Sequence, residues 1–289
     1  MRYLILPLFF SACFSFIIEG QTPEFLKRTL SDVLVKKADI SGESAYYKPI
    51  FGDGDSNAET VKCIARYGFL SIDSGGSSSI VRYEKEEQVI FILEGTGNLH
   101  YAKETVPVTK SDFVYIPVGV EYGLSNPREK TLKVIVMGYK IPDGTKMNQT
   151  QKLMIANADE VPLQVLGQHG PTTQFQLLMG TTESKRDRLA AACQVNSLFI
   201  MDFAAGGTNI PHIHEREEEV YFVLRGNGEM VAGQTSDGKE IRFPAKEGDV
   251  FYFSPCTLIG FYSATREGEE HARILAVRSK FIVPDSGGK

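Results

Sequence analysis

Short apolar runs separated by polar turns set the rhythm of this chain. Runs rich in Val, Ile, Phe and Tyr occupy 65–72, 89–94, 112–117, 132–138, 174–179, 197–203, 219–225, 249–254 and 272–278. Asp73-Ser74-Gly75-Gly76, Ala205-Gly206-Gly207 and Gly226-Asn227-Gly228 punctuate them. Runs of this length bounded by Gly, Asn, Asp and Ser read as β-strands. Their even spacing predicts an all-β protein built of antiparallel sandwiches or barrels rather than βαβ units. One segment departs from this rhythm. Residues 23–37, PEFLKRTLSDVLVKK, carry helical spacing and predict a helix packed on the outside.

The strand pattern occurs twice. EEQVIFILEGTG (86–97) aligns with EEEVYFVLRGNG (217–228) with seven identities in twelve, at an offset of 131. YYKPIFG (46–52) lies under QFQLLMG (174–180) at an offset of 128, and SDFVYIPVGVEYGL (111–124) under GDVFYFSPCTLIGF (248–261) at 137. Three matches in one order, with a slowly drifting offset, indicate a tandem duplication whose loops lengthened. The added residues fall near the turn Gly233–Gly238. Between the copies, IPDGTKMNQTQK (141–152) is polar and carries Pro and Gly, so 141–158 reads as a linker. The division is an N-terminal domain at 21–140 and a C-terminal domain at 159–289.

The opening segment, 1–20, reads differently. Arg2 precedes a nearly apolar stretch from Leu4 to Ile18, with small residues near Gly20, as in a secretory signal peptide; this predicts a secreted or periplasmic protein. Pro7 and Ser11 interrupt the stretch, which is short for a stable membrane span. A lipid anchor at Cys13 is disfavoured by the hydrophobic residues that follow it. Beyond this segment stand Cys63, Cys193 and Cys256, an odd number with no zinc-knuckle spacing, and they read as packing residues. Asn148-Gln149-Thr150 fits a glycosylation sequon. A formal charge of −5 without a Lys/Arg block argues against nucleic acid as a partner.

The candidate chemistry sits in PHIHEREEEVYFVLRGNG (211–228). Residues i and i+2 of a strand face the same way, so His212 and His214 can grip one ion together. GTNIPHIHEREEEVYFVLRGNG followed by GDVFYFSP resembles the two sequence motifs of the cupin superfamily. Gly206 or Gly207 opens the first motif, His212 and His214 follow, Glu219 takes the acidic place and Gly226 closes it. The resemblance covers both copies and implies a bicupin: two tandem cupin (double-stranded β-helix, jelly-roll) barrels. It implies one divalent transition metal per chain, held by His212, His214 and Glu219, with Fe, Mn, Zn, Ni and Cu all compatible with these donors.

The second motif departs from the pattern. Gly248, Asp249 and Pro255 match, but Cys256 replaces a glycine and Ile259 stands where the fourth ligand belongs. The remaining histidines, His100, His169 and His271, are not near that position in sequence. In the N-terminal copy the ligand places hold Val81, Tyr83, Gln88 and Tyr122, which form no transition-metal cage. That half reads as a structural partner, with Tyr83, Gln88 and Tyr122 as handles for a small organic ligand.

Two histidines and a carboxylate form a facial triad that leaves coordination positions open. Three functions follow as expectations. The first is a metal-dependent dioxygenase of a small aromatic or enediol substrate. The second is a metal-assisted isomerase, decarboxylase or hydrolase of a sugar or small acid. The third is a non-catalytic ligand-binding bicupin. Ile259, Tyr221 and Tyr252 are expected on the pocket wall, and of Glu217 and Glu218 at least one is expected to face solvent. A small-molecule partner fits all three readings, as does a homo-oligomer.

Overall fold

A computed structural model describes residues 24–147, 150–167 and 169–281. The leader-like segment with Cys13, and Asn148 of the sequon, lie outside these residues. The first half contributes β1 (Phe25–Thr29), β2 (Ala45–Gly52), β3 (Ile64–Ile72), β4 (Glu86–Glu94), β5 (Thr96–Tyr101), β6 (Glu104–Thr109), β7 (Asp112–Ile116), β8 (Tyr122–Ser125) and β9 (Leu132–Lys140). The connecting segment carries β10 (Met154–Asn157) and a short 3-10 turn, Ala158–Glu160. The second half contributes β11 (Thr173–Thr181), β12 (Leu189–Ala192), β13 (Val195–Phe203), β14 (Thr208–Ile213), β15 (Glu217–Arg225), β16 (Asn227–Gln234), β17 (Glu240–Lys246), β18 (Asp249–Phe253), β19 (Leu258–Ser263) and β20 (Ala272–Lys280).

These strands form two double-sheeted barrels. The first pairs a six-stranded sheet, β10-β7-β4-β9-β3-β2, with a three-stranded one, β6-β5-β8. The second pairs a seven-stranded sheet, β1-β18-β15-β20-β13-β11-β12, with a four-stranded one, β14-β19-β16-β17. The two large sheets pack face to face, which explains why β4 and β15 are apolar on both faces. Val89, Phe91, Val220 and Phe222 belong to the core between the barrels. Ile90 and Ile92 point into the first barrel, and Tyr221 and Val223 into the second. A strand buried on both sides reads as a continuous run instead of an alternation.

The halves also exchange strands. β1, from the start of the chain, pairs antiparallel with β18 of the second barrel, Phe25 opposite Phe253 and Thr29 opposite Asp249. β10, from the connecting segment, pairs with β7 of the first barrel, Asn157 opposite Asp112. The aspartate opening each host strand fastens the guest: Asp249 accepts from Thr29 Oγ1 at 2.7 Å and Asp112 from Asn157 Nδ2 at 2.8 Å. Residues 25–29 are therefore a strand and not the expected helix. Leu26, Leu30 and Val33 do reach the shared core, but the open edge of β18 supplies backbone partners that an isolated surface helix would have to do without.

A pair of buried glutamates spans the interface. Glu218 accepts from the backbone N–H groups of Lys62 (2.7 Å) and Cys63 (2.8 Å) and from the Tyr252 hydroxyl (2.8 Å). Glu87 accepts from the N–H groups of Cys193, Gln194 and Val195 and from the Tyr115 hydroxyl. Each barrel thus places a carboxylate into a hairpin of the other. Burial pushes both carboxyls up, against the opposing pull of these donors.

Candidate metal centre

β14 and β15 place the site at the mouth of the second barrel. β14 ends at Ile213, and its pairing with β19 shifts register between Asn209 and His212, after which His212 lies opposite Ile259. His214 follows just past the strand end. Glu219 alternates with Val220 on β15: Val220 faces the other barrel and Glu219 faces inward. Gly226, which closes the motif, has φ +81° and packs so close to Ala272 that a Cβ would sit 2.7 Å from its Cα. Only glycine takes that conformation in that space at low cost.

Both ring tautomers are set by their outer hydrogen bonds. His212 Nδ1 is 2.7 Å from the Ile210 carbonyl, and His214 Nδ1 is 3.1 Å from Glu217 Oε2. With each Nδ1 donating, each Nε2 carries a lone pair, and the two Nε2 atoms face one another at 3.0 Å. Glu219 Oε2 lies 3.4 Å from His214 Nε2. The donor atoms of His212, His214 and Glu219 all fall within 4.8 Å of one another. Glu219 is buried and neither oxygen accepts a hydrogen bond of good geometry, although the Tyr221 hydroxyl lies close. Burial raises its carboxyl to about 7, with Arg278 and His214 pulling the other way. Burial also pushes His212 down, favouring the neutral imidazole. Two converging lone pairs beside an orphaned carboxylate repel unless a cation joins them, so the donor set fits a divalent metal.

Around these donors lies a cavity of about 110 Å³ with two guanidinium groups on its wall, Arg186 and Arg278. Arg278 lies opposite Glu219 on β15 and opposite Ser197 on β13. Its Nη1 is 3.4 Å from Glu217 and from His214 Nε2, while its buried Nε has no partner. Arg186 Nη2 is 3.4 Å from Ser197 Oγ. Burial opposes ionisation of Glu217, but hydrogen bonds to His214 and Asn196 and the charge of Arg278 outweigh it and hold its carboxyl at about 2. Phe175, Phe199 and Leu177 supply apolar wall, and His169 leans in from the loop before β11.

Several expected placements change. Tyr221 does line the cavity, its hydroxyl accepting from Asn209 Nδ2 at 2.9 Å. Tyr252 points the other way, to Glu218 and Phe51 in the core between the barrels, because it shares the outward phase of Val250 on β18. Ile259 is buried in the barrel interior opposite His212 rather than on the cavity wall. Neither Glu217 nor Glu218 is a solvated acid: the first orients His214 and the second clamps the barrels together. His271 bonds Asp202, and His100 bonds Thr105 and Ser125, both away from the triad. Arg278 was missed, although its strand carried a signal: it continues the inward phase of Ala272, Ile274 and Ala276, where an arginine is out of place unless a site needs it.

The N-terminal counterpart is filled from within. Gln88 lies opposite Gly138, and Gly138 opposite Arg66, matching Glu219, Arg278 and Ser197 in the second barrel. The Arg66 guanidinium pairs with Glu86 at 3.0 Å and Asp39 at 3.1 Å and stacks on Tyr83 at 4.1 Å. Gln88 donates to Glu86 and accepts from Tyr122 at 3.4 Å. Of the polar handles expected for a ligand, Gln88 and Tyr122 are spent on each other and the Tyr83 ring lies against the Arg66 guanidinium.

Two face-packed, strand-exchanged jelly-roll barrels, with one His-His-Glu cluster among the described residues, define a double-barrel protein of the bicupin class. The Cupin domain family matches residues 68–138 and again 199–278, so the chain belongs to the cupin family. Among curated proteins it is similar to two Arabidopsis thaliana proteins, germin-like protein subfamily 2 member 3 (43% identity over 65 residues) and member 1 (41% over 80 residues). These matches cover 22% and 28% of this chain and only 29% and 35% of those relatives. Among solved structures it is similar to a putative glyoxylate induced protein from Pseudomonas aeruginosa (TM-score 0.71, 14% identity, 91% of this chain and 92% of that one). A mutant of Bacillus subtilis oxalate decarboxylase follows (TM-score 0.63, 12% identity, 91% and 78%), as does the Momordica charantia 7S globulin (TM-score 0.59, 12% identity, 87% and 83%). These likenesses show the fold. No helix among the described residues is long and apolar enough to cross a membrane.

Proposed function

We propose that this bicupin is a metal-dependent enzyme whose single centre, His212, His214 and Glu219, acts on a small carboxylate-bearing substrate by redox-neutral chemistry. The observation that carries this reading is Arg278. Its guanidinium lies beside the triad in a cavity of about 110 Å³, with a buried Nε that nothing on the protein satisfies. A planar, permanently charged group with unspent donors suits a carboxylate. A cavity of this size suits a ligand of a few non-hydrogen atoms better than a bulky aromatic one. That turns the expectation away from oxygenation of aromatic rings and toward a small acid.

A bound divalent ion supplies Lewis acidity to a substrate oxygen. The chain's own groups do the rest. Glu217, held ionised, keeps the His214 Nδ1–H in place and so aims Nε2 inward. Arg278 binds and orients the carboxylate. Phe175, Phe199 and Leu177 exclude water from one wall, which strengthens both interactions. Residues 1–20 favour export as the route by which the protein meets this substrate.

The test is a panel of small mono- and dicarboxylic acids offered to metal-loaded protein, with oxygen uptake recorded in parallel. Turnover without oxygen consumption is expected. The Arg278→Gln variant should raise KM about tenfold or more, and the His212→Ala/His214→Ala double variant should lose metal and turnover together. One oxygen consumed per turnover would return the protein to the dioxygenase reading. Equal metal content in the double variant would remove the centre altogether.

A further inference from the structure

We propose that His169, on the loop that enters β11, is the fourth protein ligand of this centre and replaces the donor that Ile259 cannot provide. The proposal rests on the His212, His214 and Glu219 reading and adds a residue from a different part of the barrel.

The first observation is the state of the ring. His169 Nδ1 is buried without a hydrogen-bond partner, and the ring lines the same cavity as the triad. A ligating histidine keeps the lone pair of one nitrogen for the ion, unspent on any protein donor. His212 does so by donating through Nδ1 to the Ile210 carbonyl and presenting Nε2.

The second is position. The His169 ring stands edge-on to His212 with centroids 6.4 Å apart, and His212 and His214 converge at 4.7 Å. Closing most of that difference brings His169 into the same shell. In the turn that carries it the His169 N–H bonds the Leu166 carbonyl at 3.1 Å, and Gly170 beyond it is exposed. The Phe175 ring, 5.0 Å away, steers the imidazole toward the cavity.

The third comes from the sister barrel. Its loop before β2 makes the same turn at the matching place of the repeat. Lys36 bridges Tyr47 as Gln164 bridges Phe175, and Ser41 N–H bonds the Ala38 carbonyl as His169 bonds Leu166. Within that turn Asp39 reaches inward and pairs with the Arg66 guanidinium at 3.1 Å. In the first barrel, then, this loop already delivers Asp39 to the cation at the centre; in the second the counterpart of Asp39 is Gly167, and the histidine stands two residues on, at the place of Ser41.

The full-length chain, stripped with a chelator and titrated with Co(II), tests this by two readouts that need no substrate: the dissociation constant and the visible absorption of the bound ion. His169→Ala should weaken Co(II) on the order of 100-fold, at least the cost of losing an outer hydrogen-bond partner (about 10–100-fold), and should change the absorption band. Adding Ile259→His to that variant should restore most of the affinity from the strand paired with His212. A dissociation constant and spectrum unchanged in His169→Ala, with binding still abolished in His212→Ala, would overturn His169 while sparing the triad. Loss of binding in neither variant would overturn both.

Discussion

The two barrels hold opposite solutions to one electrostatic problem. Both place polar groups at the mouth of a jelly roll and need a positive charge there. The first barrel supplies it covalently: Arg66 extends from β3 into the space, paired with Glu86 and Asp39 and lying over Tyr83. The second has Ser197 at that place, so the space stays open, and its donors are two imidazoles and an orphaned carboxylate. One copy therefore has a guanidinium filling its centre, and the other keeps an open donor set beside Arg278. Arg66 fills the first centre only because Gly138 opposite it has no side chain, since a Cβ there would lie 2.7 Å from Arg66 Cγ.

The comparison breaks most sharply if the two centres are interchanged. Ser197→Arg should abolish metal uptake, because a guanidinium then fills the space beside Glu219 and His214 that an ion would need; metal analysis of the purified variant checks this. The reciprocal Arg66→Ser leaves the partly exposed Glu86 and Asp39 without their shared cation and should cost about 1–3 kcal/mol by chemical denaturation. A Ser197→Arg protein that retains full metal content would show that the two places are not equivalent.

An effect on stability alone sharpens what the barrels share. Glu87 and Glu218 play the same part in opposite directions, so Glu87→Ala and Glu218→Ala should destabilise alike, by about 3 kcal/mol each, since each orphans two or more buried N–H groups. Burial raises both carboxyls in the folded protein above the unfolded value near 4.3. Protonation therefore favours the folded state. The carboxylate penalty is absent below about pH 4.3 and grows as the pH rises from there toward the folded pKa. The stability gap between wild type and either variant should accordingly narrow as the pH is raised. A widening gap would mean that the four donors around each carboxylate outweigh its burial.

The smallest expected effect concerns Cys256. It occupies a left-handed conformation, φ +65°, with its N–H bonded to the His214 carbonyl at 2.8 Å. The equivalent Gly119 of the first barrel has φ +78°. Cys256→Gly should raise stability by up to about 1 kcal/mol, read as a shift in thermal midpoint, by removing a Cβ from a conformation it disfavours.

Much of this protein was legible because its signals are local. Period-two alternation, Gly at forced turns, the tandem repeat and the His212-x-His214 spacing with Glu219 all rest on short segments that match or alternate. From them came the barrels, their number and the three donors that the structure brings together. What escaped the sequence depends on which strands become neighbours. Leu26, Leu30 and Val33 suggest a helix until the open edge of β18 turns Phe25–Thr29 into a guest strand. Glu217, Glu218 and Glu219 look like one acidic run, yet alternation sends Glu218 to the other barrel and Glu219 to the metal centre while Glu217 braces His214. Arg278 and His169 stand far from His214 along the chain, on either side of it. They meet it only because β20 pairs with β15 and the β11 loop crosses the barrel mouth. The sequence by itself determined the repeat and the donor types, because side-chain chemistry and strand phase are properties of short segments. Only the tertiary structure decided which barrel has its centre filled by a guanidinium, because that depends on Arg66 and Ser197 facing the same point in space from the two copies of one strand.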